Sequence, residues 1–281
     1  MRTFVGSLRH SPMVALGVVI VGALFLVGAL APWIAPYEPE AIAGNAFEEP
    51  SSEHLLGTND AGADIFSRLI MGSRTTLVVA VVTTTLIMAV GLGVGLTAGL
   101  RGGFLDTALM RLVDILLALP ALPLLIFIAA LVGPSLTVSI LMIGFAIWPQ
   151  TARIVRSQTL SFRRRGFVDR ARGFGAGPLH VMRRHLLPAL GPVIAANVVY
   201  AAGLVVLIEA GLAFIGLGDP TAVSWGSMLN RALENPQIYI GELWLWWLMP
   251  AGLALTFSVL GFTFIGVGLE PRFNPRWSQG L

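Results

Sequence analysis

The chain has no cysteine and no lysine; all 18 basic residues are arginine. Without Cys there is no disulfide and no thiolate chemistry. Without Lys there is no Schiff base, and no Gly-Lys-Ser/Thr loop to cradle nucleotide phosphates. If ATP drives anything here, another subunit binds it. Charge is scarce as well. Charged side chains make up 12% of the 281 residues, against about a quarter in a soluble domain. His10, His54, His180 and His185 are scattered, none at a ligand spacing from acids, so no metal site and no resident cofactor is expected. No Ser-His-Asp or paired-carboxylate constellation faces one compartment, and Ser227 in SWGSM reads as an ordinary serine. There is no convincing internal repeat and no low-complexity tract.

What the chain does contain is apolar surface. Hydrophobic residues make up 56% of it, and the mean hydropathy is +0.81. An all-α integral membrane protein follows. Six runs are candidates for the roughly 20 apolar residues a span needs. They are residues 13–35, 76–100, 106–132 (with Pro120 and Pro123), 135–152 (with Pro149), 190–217 and 244–269. The first run is too long for a signal-peptide core, and APWIAPYEPE is a poor cleavage site, so a retained helix is expected. Gly91, Gly95 and Gly99 recur every fourth residue in the second run, a spacing that lets helices approach closely.

The charges orient these spans. With both ends cytoplasmic, 15 Arg lie inside and three, Arg68, Arg74 and Arg231, lie outside. That is a strong positive-inside signal. Trp33, Trp244, Trp246 and Trp247 then fall at the outer interface as an aromatic belt. Two outer segments, residues 36–73 and 218–243, are too small for cores of their own. In the first, Asp60 to Asp64 followed by Ile65, Phe66, Leu69 and Ile70 suggests a short amphipathic helix along the outer interface.

Half of the arginines crowd into residues 153–188, nine Arg against the single acid Asp169. Lipid headgroups account for the charge. The pattern holds more than charge, however. Phe167, Ala171 and Phe174 recur at i, i+4 and i+7, as on a short amphipathic helix. Gly175-Ala176-Gly177-Pro178 then supplies a glycine stop and a proline start. A second short helix sets Leu179, Met182 and Leu186 on one side and ends at Pro188. Two short helices bent at a glycine suit a groove on another protein better than a lipid surface.

The order Asp169-Arg170-Ala171-Arg172-Gly173-Phe174-Gly175, nine further residues, then His185-Leu186-Leu187-Pro188 resembles the EAA loop of ABC importer permeases. In that family the loop is the coupling helix seated in a cleft of the ATP-binding subunit. Asp169 stands where Glu is usual, and Arg170 where Ala is usual. HLLGTNDAGADIFSRLIMGSR from His54, VDILLALPALPL from Val113, IEAGLAFIGLGDP from Ile208 and PTAVSWGSML from Pro220 are similar to the C-type permease of the dipeptide/oligopeptide/nickel class, with Asn59 and Ala63 replacing its Asp and Arg. The resemblance covers most of residues 54–272. It implies a type I (MetI-like) transmembrane domain of six helices, and an importer subunit with no ATPase site of its own. Residues 1–74 would be the first span and outer segment, 75–272 the permease core, and 273–281 a tail. The implied coupling residues are Phe167, Asp169, Arg170, Ala171, Arg172, Gly175, Leu179, His185 and Pro188. The implied partners are a second, B-type permease, one or two ABC ATPases binding ATP and Mg, an extracytoplasmic peptide-binding protein, and membrane lipid.

Three more residues merit weighing. Glu209 lies deep in VVLIEAGLAF, where an acid lines a path or gate, or bonds a neighbouring helix. Asp114 lies three residues after Arg111, which favours an intrahelical pair over a role in the path. Pro120 can kink the third span so that it lines a cavity. A secondary transporter using Glu209 and Asp114 as a proton relay is the rival reading, and the lack of inverted repeats and broken helices stands against it. A nucleic-acid partner is excluded on the loop's few aromatics and lack of a known binding module.

Overall fold

The computed structural model describes residues 12–163 and 165–269. Ten α-helices are named among them. Those up to the basic loop are α1 (Pro12–Ile34), α2 (Ile65–Arg101), α3 (Gly103–Ala118), α4 (Ala121–Val132) and α5 (Leu136–Arg163). The loop holds α6 (Gly166–Gly173) and α7 (Pro178–Val181), and α8 (Leu187–Phe214), α9 (Trp225–Glu234) and α10 (Leu243–Leu269) follow. Five stretches are long and apolar enough to cross a membrane, six if α3 and α4 together make one span. The expected positions of all six spans hold, but three differ from expectation in form.

The second span starts earlier. The expected amphipathic outer helix is instead the first turns of α2, which runs unbroken through residues 74 and 75. Asp64 makes this possible. Its Oδ2 accepts the Ser67 N–H at 2.7 Å, capping the helix well before the apolar run begins.

The third span is broken. α3 and α4 meet at 81°. Pro120 and Pro123 cannot donate to Leu116 and Leu119, so the helical ladder loses two bonds in one turn. Pro120 also drives Leu119 to extended backbone, φ −78° and ψ 131°. The Leu119 N–H turns back to Leu116 O at 3.3 Å. One argument against a secondary transporter, the absence of broken helices, therefore does not hold.

The fourth span is long. α5 keeps Pro149 inside it and carries Arg153 and Arg156 on a helix, not in the loop expected from the sequence.

α2 and α5 form the central pair, and the glycine stripe is why. A Cβ on Gly91 would lie 2.6 Å from Thr151 Cγ2, one on Gly95 2.6 Å from Ala152 O, and one on Gly99 2.7 Å from Thr159 Cβ. Around this seam Ile87, Val113, Leu125, Ile143 and Val205 form the main apolar cluster. α1 crosses α10 at a second close approach, where a Cβ on Gly17 would meet Gly261 O at 2.7 Å.

The two segments expected outside fold against each other, with Arg231 Nε donating to Asp60 Oδ1 at 2.8 Å. His54 is 3% exposed, its Nδ1 2.9 Å from Asp64 Oδ1. Asn59 Oδ1 accepts the Ala61 and Ala63 N–H groups, both at 2.9 Å, so Asn keeps the acceptor an Asp would supply, at the cost of a buried, unpaired Nδ2. Ser224 caps α9 in a reciprocal box with Ser227. Trp247 is buried beside Trp225 and Met228 rather than standing in a belt, while Trp33 is exposed. Asp64→Ala removes a helix cap and strands a buried imidazole. Loss of the cap alone costs about 1–2 kcal/mol. A clear fall in the melting temperature of the detergent-solubilised chain is expected, and an unchanged one would show that the outer fold does not rest on Asp64.

Candidate functional site

The basic loop is built as the sequence suggests up to its bend, and differently after it. α6 closes with the Ala176 N–H on Ala171 O at 3.0 Å and the Phe174 N–H on Arg170 O at 3.1 Å. Gly175 takes φ +82° between them. This is the left-handed closure that glycine favours after a helix. α7 follows, but Pro188 does not end it. A π-turn, Met182–Leu186, joins α7 to α8, and the Leu187 N–H reaches five residues back to Met182 O. The wider turn absorbs the donor that Pro188 lacks, so helix runs from the loop into the fifth span.

The same turn shifts the register. Leu179, expected beside Met182 and Leu186, points out and is exposed. Val181 and Leu186 are buried with Leu100 instead, and Ala171, Ala176, Met182 and Phe162 pack around them. The inner face of the loop is thus spent on the chain's own helices. The outer face carries Phe174, 92% exposed. Phe174 shares a surface hollow with Arg170, Gly175, His180 and His185, and the two imidazoles stand 5.9 Å apart. The expectations for the side chains of Phe167, Asp169 and Arg172 lie outside the described residues. Ala171 therefore faces inward, while Arg170 and Phe174 are presented outward.

The other candidates do not join this site. Glu209 is buried in α8, where it accepts a 3.4 Å bond from Thr76 Oγ1 of α2. Ser224, at the start of α9, is a second hydrogen-bonding neighbour. Its carboxylate is thus satisfied by hydroxyls inside the chain. Asp114 does not pair with Arg111. It accepts from Arg153 Nη2 of α5 at 2.6 Å, with both side chains about half exposed. Four residues on, the helical path has turned toward Pro120, which caps α4 at the break. Sequence reasoning missed a stronger neighbour. Arg156 grips Asp106 with two bonds, Nε at 2.5 Å and Nη2 at 2.7 Å. The i, i+3 spacing of the arginines was the available signal, hidden by reading residues 153–163 as loop.

Between α8 and α9, Asp219 ties its own connection to the start of α5. Its Oδ1 accepts the Thr221 hydroxyl at 2.6 Å and the Thr221 N–H at 2.8 Å, and its Oδ2 accepts the Leu136 N–H at 2.8 Å. The Thr221 hydroxyl foremost holds this carboxyl below the usual aspartate range. A depressed carboxyl contributes stability above its ordinary range and loses it as pH falls through the depressed value. Exchange at the Leu136 amide, corrected for intrinsic rates, should therefore speed up at acid pH, and Asp219→Asn should abolish that dependence. An identical pH profile in the variant would contradict the clamp.

The described helices thus form a bundle of span-length elements with one bent basic loop and one broken span. Residues 91–279 match the family described as "Binding-protein-dependent transport system inner membrane component". Residues 1–51 match the "N-terminal TM domain of oligopeptide transport permease C". The chain belongs to this family of multi-pass bacterial inner-membrane permeases, within the ABC importers of the peptide and nickel class. It is 37% identical over 262 residues to a Brucella suis biovar 1 (strain 1330) protein described as a "putative peptide permease protein", covering 92% of this chain and 85% of that one. It is 36% identical over 266 residues to the nickel transport system permease protein NikC of Escherichia coli (strain K12), covering 94% of each. A chain of the inward-facing MetNI methionine ABC transporter shares the fold, with a TM-score of 0.54 and 21% identity over 72% of this chain and 97% of that one.

Proposed function

We propose that the chain forms half of the translocation path for peptides delivered by an extracytoplasmic binding protein. The other half is a second, B-type permease. One or two ABC ATPases, which bind ATP and Mg, dock on the loop formed by α6 and α7. Both termini lie in the cytoplasm, as the arginine distribution argues. The observation that carries the reading is the loop itself: its inner face packs on the chain and Phe174 stands fully out. Single exposed apolar side chains are ordinary on a protein surface; what supports docking here is the position of Phe174 at the glycine bend, beside Arg170, on the face of the loop that the chain leaves uncovered. Peptide cargo is supported by the match of residues 1–51 to an oligopeptide permease segment. Nickel chelates are the second reading, favoured by the 36% identity to NikC across nearly its whole length.

Uptake of a labelled dipeptide, a labelled pentapeptide and chelated nickel, compared in host cells with and without the chain, tests this. Loss of peptide uptake alone is expected. Loss of nickel uptake alone would replace the cargo assignment, and uptake driven by a proton gradient without ATP would replace the mechanism.

A further inference from the structure

α3 and α4 are lightly attached to the rest of the described chain. Val113, Leu125 and Ala129 are their buried residues, while Phe104, Ile115, Phe127 and Leu131 are exposed. So thin an apolar seam resists separation, but it resists sliding poorly because it has no direction. The directional contacts are polar. Arg153 and Arg156 share one face of α5, and Asp114 and Asp106 meet them from α3. Eight residues separate the two acids, about 12 Å along a helix axis. On α5 the two arginines stand three residues apart, about 4.5 Å, so the bridges converge on it. Attachment at two points opposes both sliding and swivelling. The Asp106–Arg156 fork also fixes orientation, which a single bond does not. α5 continues past both pairs to Arg163, and α6 starts at Gly166. A displacement of the loop therefore reaches Arg156 along seven residues of continuous helix.

We infer that the Asp106–Arg156 and Asp114–Arg153 pairs lock α3 to the cytoplasmic end of α5 as one body, so that motion of the loop arrives at the 81° break before Pro120. These four are positioning residues for transport, and none needs to touch cargo. The inference rests on the loop being the ATPase contact.

The test uses the importer assembled with its ATPases in proteoliposomes, with ATP hydrolysis and uptake of a labelled dipeptide measured on the same vesicles. Arg156→Asp and Asp106→Arg should each leave the ATPases bound and hydrolysis near wild type, while uptake per ATP falls about tenfold, the size of a typical coupling between sites. The exchanged pair, D106R with R156D, should recover most of the ratio. A ratio unchanged in the single variants, or hydrolysis and uptake falling together, or no recovery in the exchange, overturns the inference. The absence of native cysteine permits a second arm. D106C/R156C bridged by a short bis-maleimide should transport better than the unbridged double variant. Arrest on bridging would mean that the helices must part, and would also overturn it. If the wild-type chain retains no ATPase and supports no hydrolysis, the functional reading has failed, which is a separate result.

Discussion

Gly95→Leu is expected to lower the melting temperature of the chain sharply, while Gly93→Leu on the same helix leaves it near wild type. A Cβ at Gly95 would lie 2.6 Å from Ala152 O and 2.8 Å from Val155 Cβ. Neither neighbour is the loose end of a flexible side chain; one is backbone and the other is anchored at the backbone of α5. The helices must therefore separate, and with them the seam that Gly91 and Gly99 share. Overpacking costs about 1–3 kcal/mol, occasionally more, and leucine adds three further carbons beyond the clash. Gly93 has open space around its Cβ position, so it controls for helix propensity and added bulk. Thermal melting in detergent with size-exclusion profiles reads the difference. Equal melting temperatures for the two variants would show that the α2–α5 approach is not what holds the bundle.

Gly175→Val should lower transport about tenfold with little change in chain stability. The strain comes from the backbone, because φ is +82° and a Cβ there would meet nothing within 4 Å. An L-residue in the left-handed region costs about 1–2 kcal/mol, with β-branched side chains worst. The bent form of the loop then falls about tenfold in population. Asn tolerates that region, so Gly175→Asn should recover much of the activity. Gly177→Ala, with an open Cβ position and no positive φ, should transport normally. ATP-driven uptake measured beside the melting temperature separates the cases. Full transport by Gly175→Val would mean that the bend is not used.

Some of this was legible in the sequence. Apolar run length places five spans, six with α3 and α4 taken as one, and four-residue glycine spacing marks the seam of α2 with α5. Gly175 followed by Pro178 marks the bend because the glycine and proline rules are local. The misreadings share a different cause. Pro188 reads as a terminator only if the turn before it is α-helical, and the π-turn at Met182–Leu186 supplies a geometry that no residue pattern announces. The same slip moved Leu179 off the buried face. The partner of Asp114 was misjudged because Arg111 is near in sequence, whereas Arg153 is near in space. Glu209 could be recognised as costly, but Thr76 reaches it from 133 residues away and Ser224 from the cap of the next helix. Long-range pairing of this kind is set by how the helices pack, and single-residue patterns carry little of it.

The central claim is that the basic loop grips an ATPase. A photo-reactive benzoyl-phenylalanine at Phe174, which is 92% exposed, tests it most directly in native membranes. The account predicts one dominant adduct, a protein with a Walker-type nucleotide site, whose yield falls when Gly175→Val is added. Adducts with lipid only, or an ATPase adduct that survives Gly175→Val undiminished, would contradict it.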